Sequence, residues 1–242
     1  MAQPATPEAV RQEIGQVRAG TGVAARGAVD LLRRFAATVG ESARFAIWLL
    51  VEPQETFYHL REKGSVAAAL VIMFLALAVR VATVFTVAFH FSAAEPWEVN
   101  FVAELMRMIA PWLTWVVANY AVTAILYGEG TFRQIFVTSA YCFVPYVLFI
   151  FPLSLLTNVL ALSEAGLVYV VQTVVYGWIA VLFFLQVKVV HGYDLRATFG
   201  VVALTLAAML GIWMVGSMIY GLSYQLFRFI REIFIEVVIR WA

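Results

Sequence analysis

Charged residues are what this sequence has least of. Only 13% of its 242 residues are charged and the formal net charge is +1, whereas a soluble domain carries about 25% charged residues. Hydrophobic residues make up 63% of the chain. This shortage of charge excludes a soluble globular domain and predicts a polytopic membrane protein. A net charge so close to zero also gives no basis for nucleic-acid binding.

Cysteine and catalytic motifs are also scarce. Cys142 is the single cysteine and lies in an apolar run, which excludes an intramolecular disulfide framework and a CxxC metal or redox site. The sequence contains no HExxH, GxSxG or P-loop motif, and its three histidines are far apart. We therefore expect no catalytic, cofactor-binding or metal-binding residues, and a protein that is not an enzyme.

Five apolar runs are each long enough to cross a bilayer as a helix, which takes about 20 residues. They are predicted at residues 65–89, 109–127, 135–156, 166–187 and 197–217. Short connections make neighbouring spans antiparallel, so the predicted fold class is all-α, a five-span helical bundle with amphipathic helices at both ends. The predicted organisation is an N-terminal cytoplasmic segment at 1–51, a membrane domain at 52–217 and a C-terminal amphipathic helix at 218–242.

The basic residues near the span ends predict the orientation, because Lys and Arg are enriched on the cytoplasmic side. With the N-terminus in the cytoplasm, the inner flanks hold Arg44, Arg61, Lys63, Arg133, Lys188 and Arg196. The N-terminal 24 residues lack the apolar core of a signal peptide, which fits this orientation. Arg228, Arg231 and Arg240 in the tail would then lie outside, which argues against it without reversing it.

Two segments beside the spans have amphipathic patterns. Residues 27–39 place Val29, Leu32 and Phe35 on one helical face, which suits a helix on the membrane surface or one packed on the protein's own bundle. Residues 227–242 place apolar side chains at helical spacing beside i,i+4 charge pairs. The C-terminal helix could lie in the interface, extend the fifth span or pair with another subunit.

Arg80, in "LALAVRVATVF", is the most unusual residue of the spans, because a charge inside the hydrocarbon is costly and normally faces the bundle interior. Its candidate polar partners are Asn119 and Gln172 in other spans, or Glu104 near the outer interface. Arg80 either lines a polar pathway or ligand site, or forms a structural pair that fixes helix packing. We favour the structural pair, since a transport pathway usually contains several intramembrane charges.

The third span contains two prolines. Pro145 lies near its middle and Pro152 near its outer end. Because proline removes a backbone donor and clashes with the preceding turn, we expect the helix to deviate from straight at residues 141–145 and to bend again at Pro152. The glycines of the preceding "YGEGTF" predict the turn between the second and third spans.

Three stretches then combine into a family pattern: "EPQETFYHLREKGS" (52–65), "LYGEGTFRQIFVTSAYCFVPYVLFIFPLSLL" (126–156) and "VKVVHGYDLRATFGVVALTL" (187–206). In this order, with five spans, the chain resembles the bacterial branch of the Yip domain family, the Ypt/Rab-interacting integral membrane proteins. The positions that carry the resemblance include Gly128, Gly130, Arg133, His191, Gly192 and Tyr193. None of them is known to be catalytic in the family.

The resemblance implies a cytosolic N-terminus followed by five spans and, in eukaryotic relatives, binding of prenylated small GTPases. The Ala-, Arg- and Val-rich composition is typical of a prokaryote, which has no Rab cycle, so we infer no GTPase partner. We expect the plasma (inner) membrane of a prokaryote, contact with membrane lipid, and a protein partner or homo-oligomer. The expected function is a non-enzymatic scaffold or adaptor; the alternative is a transporter or permease subunit with Arg80 lining a solute pathway.

Overall fold

A computed structural model describes residue 40, residues 44–88, residue 91 and residues 99–241, with the backbone alone at 237–241. The predicted amphipathic segment at 27–39 lies outside the described residues. The chain divides into two compact units, Met1–Ile47 and Trp48–Ala242. The regular secondary structure in the described part of the second unit is all helical, without a strand.

Seven α-helices lie wholly within the described residues of the second unit, and a further helical stretch at 44–51 precedes them in the chain. In chain order they are α1 (Pro53–Lys63), α2 (Val66–Thr86), α3 (Phe101–Ile125), α4 (Phe132–Tyr141), α5 (Val144–Leu156), α6 (Ala165–His191) and α7 (Leu195–Trp241). A short 3₁₀ turn precedes α6. Five stretches are long and apolar enough to cross a membrane: Val66–Thr86, Phe101–Ile125, Phe132–Leu156, Leu162–His191 and Leu195–Glu236. The predicted all-α, five-span fold class is confirmed.

The second span begins at Phe101, and the prediction that it begins at residue 109 was wrong. The side chain of Asn100 caps α3 by accepting hydrogen bonds from the backbone N–H groups of Val102 and Ala103, at 3.0 and 3.2 Å. Glu104 and Arg107 made this stretch look like a polar connection. In the folded chain they form an ion pair on α3, so the helix includes them.

The third span consists of two helices, because α4 ends at Tyr141 and α5 begins at Val144. Between them, the N–H groups of Cys142 and Phe143 donate to carbonyls three residues back, both at 3.2 Å, which tightens the turn. Pro145 lies in the first turn of α5, where its missing N–H has no helical partner to lose. This interruption lies within residues 141–145, whereas α5 continues through Pro152 to Leu156.

The fifth span and the C-terminal segment form one helix. α7 is 47 residues long, or about 70 Å at 1.5 Å per residue. A hydrocarbon core is about 30 Å thick, so α7 is roughly twice as long as a span requires. Residues 218–241 therefore extend the fifth span, which is one of the three arrangements that the sequence left open for them.

Two apolar clusters form the centre of the bundle. Ala76, Tyr146, Ile150, Val175 and Ile179 join α2, α5 and α6. A second cluster, formed by Trp115, Val187 and Val201, joins α3, α6 and α7. The short helix α1 packs against α6 and α4. These contacts fix the relative positions of all seven helices, because every helix takes part in at least one of them.

Polar contacts define the two ends of the bundle. At the turn end, where the α3–α4 and α6–α7 connections lie, the Tyr193 hydroxyl donates to the carbonyl of Leu126 at 3.2 Å. At the opposite end, the hydroxyls of Thr86 and Ser154 are 2.7 Å apart. The C-terminal ends of α2 and α5 therefore meet at the opposite end, away from the two turns.

Replacing Phe57 by Ala tests whether α1 is an integral part of the bundle. Phe57 is fully buried on α1, whereas its neighbour Tyr58 is 55% exposed. We expect Phe57→Ala to lower the free energy of unfolding by about 3–5 kcal/mol, because it creates a cavity. The matched control, Tyr58→Ala, should change it by less than about 0.5 kcal/mol. Reversible unfolding in detergent micelles measures both, and equal effects would contradict the docking of α1.

Candidate functional site

The residues of the family pattern meet at the turn end. Gly128 and Gly130 lie in the α3–α4 turn, while His191 ends α6 and Tyr193 follows it. The backbone N–H of Gly130 donates to Nδ1 of His191 at 3.2 Å. Because Nδ1 accepts this bond, the neutral ring carries its proton on Nε2. The two turns are thus joined directly through the imidazole.

His191 continues this contact into the core. Its Nε2 lies 3.2 Å from Oδ1 of Asn119, to which it donates. The amide nitrogen of Asn119 in turn donates to the hydroxyl of Thr205 at 3.4 Å. All three side chains are buried, so a chain of hydrogen bonds from Gly130 to Thr205 links the α3–α4 turn to α6, α3 and α7. Asn119, a candidate partner for Arg80 in the sequence, is engaged here instead, because it faces the turn end.

The two motif glycines permit the close approach of His191. A Cβ on Gly128 would lie 2.6 Å from Nδ1 of His191 and 2.7 Å from the hydroxyl of Tyr193. A Cβ on Gly130 would lie 2.6 Å from Cε1 of His191 and 2.7 Å from Val190. Gly192 has a different role: it ends α6 at φ +69°, in the left-handed region that favours glycine.

Arg133 and Arg61 connect the turn end to α1. Arg133 donates to the carbonyl of Gly64, just after α1, at 2.9 Å. Arg61 on α1 pairs with Glu129 of the turn at 2.9 Å and donates to the carbonyl of Val189 at 3.3 Å. The contacts of the motif residues are therefore contacts between parts of this chain, and they suit a structural function.

A second polar cluster lies near the opposite end. Nε and Nη2 of Arg80 donate to Oε2 of Glu104 at 2.9 and 2.6 Å, and Nη1 of Arg107 donates to the other oxygen, Oε1, at 2.5 Å. Glu104 is buried, at 8% exposure. Of the partners that the sequence suggested for Arg80, Glu104 is the one to which it is hydrogen-bonded, whereas Asn119 bonds to His191.

The ion pair of Arg80 and Glu104 lies nearer to the helix ends than the sequence indicated. Arg80 precedes the end of α2 at Thr86 by about 9 Å along the helix axis. Glu104 lies in the first turn of α3. The sequence placed Arg80 deeper because the first span was predicted to continue to residue 89. The cluster is therefore within reach of the interface for a long arginine side chain.

Two cavities adjoin Arg80. One, of about 170 Å³, is lined by Arg80, Tyr146, Tyr176 and Gln172 together with threonine and serine hydroxyls. The other, of about 340 Å³, is lined by Arg80, Tyr146 and Tyr176 as well, and also by Glu104 and by apolar side chains of α3 and α6. Gln172, the remaining polar candidate from the sequence, thus lies at the same cavity as Arg80.

Sequence reasoning missed Arg107, Tyr146 and Tyr176 as members of this cluster. The spacing of Glu104 and Arg107 at i,i+3 was a usable signal, because such pairs meet on one helical face. The tyrosines gave no signal, since aromatic residues are common in spans. The part of the chain that the structure describes contains no group of three or more side chains that could hold a metal ion.

These observations define a helical, multi-pass membrane protein with polar clusters at both ends of its bundle. The family model of the Yip1 domain matches residues 47–216, which cover all of the motif contacts at the turn end. The chain therefore belongs to the Yip1 domain family. No curated protein and no solved structure matches the chain significantly.

Substituting Gly130 tests the contact between the two turns. We expect Gly130→Ala to lower the free energy of unfolding by about 1–3 kcal/mol, because its methyl group overlaps the hydrogen-bonded ring of His191. Gly177→Ala is the matched control, since a Cβ there meets nothing within 4 Å. That control should be neutral or stabilising by up to about 1 kcal/mol. Denaturant titration in micelles distinguishes the two, and a neutral Gly130→Ala would contradict the contact.

The Arg80–Glu104 pair is tested by removing first one partner and then both. Arg80→Leu leaves a buried carboxylate with one remaining partner, so we expect a loss of about 1–3 kcal/mol in the free energy of unfolding. The double variant Arg80→Leu/Glu104→Leu should recover part of this loss, because no buried charge is left without its partner. A double variant less stable than Arg80→Leu would show that the pair is not what Arg80 contributes.

Proposed function

We propose that the protein is a non-enzymatic scaffold or adaptor of the membrane, which holds a protein partner or a second copy of itself through the C-terminal half of α7. The observation that carries this proposal is the exposure of that half. From Leu210 to Glu236 every residue is exposed except Gly221, which is half-buried. The other helices of the bundle therefore leave this part of α7 uncovered.

The helix α7 is too long for lipid alone to cover its exposed surface. Lipid covers about 30 Å of hydrophobic helix, or roughly 20 residues. α7 packs against α3 within the bundle and remains helical far beyond that length. Its distal part still presents large apolar side chains, among them Ile230, Ile233 and Phe234. An exposed apolar helix of this kind is typical of a surface that meets another macromolecule.

The charges of the distal part also suit a protein contact. Arg228 and Glu232 lie 3.6 Å apart on one face, and the helical spacing places Ile230, Ile233 and Phe234 on the opposite side. Salt-bridged charges beside an apolar face are common on helices that pair with other helices. A GTPase partner is not part of the proposal.

The alternative, a transporter or permease subunit, depends on Arg80. Its guanidinium is hydrogen-bonded to Glu104, which favours a structural pair over a free counter-charge for a solute. A variant Arg80→Leu that stays folded and assembled but loses a solute flux would support the transporter instead.

We further propose that this is a bacterial member of the family, located in the plasma (inner) membrane, with the N-terminus and the turn end in the cytoplasm. The support for this orientation is the set of basic residues at or beside the turn end: Arg61, Lys63, Arg133, Lys188 and Arg196. Lys and Arg are enriched on the cytoplasmic side of membrane proteins.

Truncation tests the scaffold proposal. A chain ending at Ser217 keeps the bundle contacts of α7, so its thermal unfolding in mild detergent should lie within a few degrees of that of the full-length protein. We expect full-length protein from native membranes to carry a stoichiometric partner or to be an oligomer by light scattering. The truncated chain should lose that association.

Two point variants distinguish the contribution of the distal apolar face of α7 from that of the part packed in the bundle. Phe234→Ser removes an exposed apolar side chain of the distal part and should weaken the association. Leu204→Ser is the control, because Leu204 is 52% exposed on the same helix but within its bundle-packed half. Retention of the partner by the chain that ends at Ser217, or a full-length protein that is always monomeric and alone, would contradict the proposal.

A further inference from the structure

The cluster at Arg80 carries an excess of positive charge. Two guanidinium groups share one carboxylate, since Arg80 binds Oε2 of Glu104 and Arg107 binds Oε1. Both carboxylate oxygens are therefore engaged, and among the residues that the structure describes here the charges of Arg80, Glu104 and Arg107 sum to +1. An excess positive charge of this kind favours an anionic partner.

The smaller cavity provides hydrogen-bond donors beside this charge. Tyr146, Tyr176 and Gln172 line it together with Arg80. The hydroxyls of Thr83 and Ser154 also line it, but they donate to carbonyls of their own helices, both at 2.7 Å. The tyrosine hydroxyls and the glutamine amide are thus the neutral donors that accompany the guanidinium. Several donors around a cation suit an oxyanion with several acceptor atoms, such as a phosphate.

The larger cavity adds an apolar part to the same site. It shares Arg80, Tyr146 and Tyr176 with the smaller cavity, is also lined by Arg107, and continues along Met108 and Ile179. A ligand that fills both cavities therefore has a polar, anionic end and a hydrocarbon end. A free inorganic anion would leave the larger cavity unused.

The depth of the site agrees with such a ligand. Arg80 lies about 9 Å along the axis from the end of α2, and Glu104 lies in the first turn of α3. The polar region of a bilayer begins near the ends of helices of this length. A phosphate near the bilayer surface is therefore within reach of the long side chains of Arg80 and Arg107.

We propose that the two cavities together bind one phospholipid. Its phosphate lies beside Arg80, which both cavities share, and pairs with Arg80 and Arg107; one acyl chain lies along Met108 and Ile179. This site is independent of the distal part of α7 and goes beyond the scaffold function. The lipid phosphate neutralises the excess charge, while the acyl chain fills space that helix packing leaves open.

Native mass spectrometry of the full-length protein in detergent tests this site. Phosphatidylglycerol, diacylglycerol with the same acyl chains and inorganic phosphate are added separately. We expect one phosphatidylglycerol to stay bound and diacylglycerol to bind at least about 10-fold more weakly, because a charged hydrogen bond is lost. Inorganic phosphate at the same concentration should not displace the lipid.

The matched variants are Arg107→Gln and Arg196→Gln. The side chain of Arg107 is 70% exposed, so the protein should still fold, and we expect phosphatidylglycerol to bind about 10-fold more weakly. Arg196 is exposed at the turn end, so its variant should bind like the unaltered protein. Tyr176→Phe, which removes one hydroxyl, should also weaken binding.

Three results would overturn the proposal. Equal binding of diacylglycerol and phosphatidylglycerol would show that the phosphate is not recognised. Displacement of the lipid by an equal concentration of inorganic phosphate would show that the acyl chain is not part of the site. Equal weakening in Arg107→Gln and Arg196→Gln would show a general effect of surface charge.

Discussion

The hydrogen bonds of His191 are the interaction on which the arrangement of the bundle depends. His191 is buried, and a buried polar group costs free energy unless the protein satisfies its hydrogen bonds. His191 uses both ring nitrogens, one toward the Gly130 backbone and one toward Asn119. Since Asn119 also bonds to Thr205, one buried imidazole connects the α3–α4 turn to three spans.

The opposite end of the bundle uses charge in place of neutral hydrogen bonds. Glu104 has each of its oxygens bound by a different arginine, and Arg80 carries that contact across to α2. Between the two ends the bundle is held by apolar packing around Tyr146, Ile150 and Ile179. Both ends of the bundle are thus joined by polar contacts, whereas the distal part of α7 has no such contact with the other described helices and is exposed.

The sequence predicts the spans of the bundle better than it predicts the contacts of the candidate site. The five spans could be predicted because a helix that crosses the bilayer needs about 20 mostly apolar residues, and such runs are visible in the sequence. The start of α3 could not, because Glu104 and Arg107 look like a polar connection until their pairing is known. The continuity of α7 was similarly hidden, since its glycines and charges resemble a boundary although an exposed helix tolerates both.

Only some contacts of the candidate site could be predicted, because the others join residues that are far apart in the sequence. Arg80 stands out in the sequence because a charge in a span is costly, and Glu104 was among its candidate partners. The contact of Gly130 with His191 joins positions 61 residues apart and depends on how four helices pack. The sequence therefore marks these residues as a family pattern without showing that they touch.

We infer that the residues of the family pattern form a structural connection between the two turns and the spans. The most direct measurement is a double-mutant cycle between His191→Phe and Asn119→Leu, followed by the free energy of unfolding in micelles. We expect a coupling energy of about 0.6–1.7 kcal/mol, as for buried hydrogen bonds between membrane helices. A coupling energy near zero, with either single variant as stable as the original chain, would contradict it.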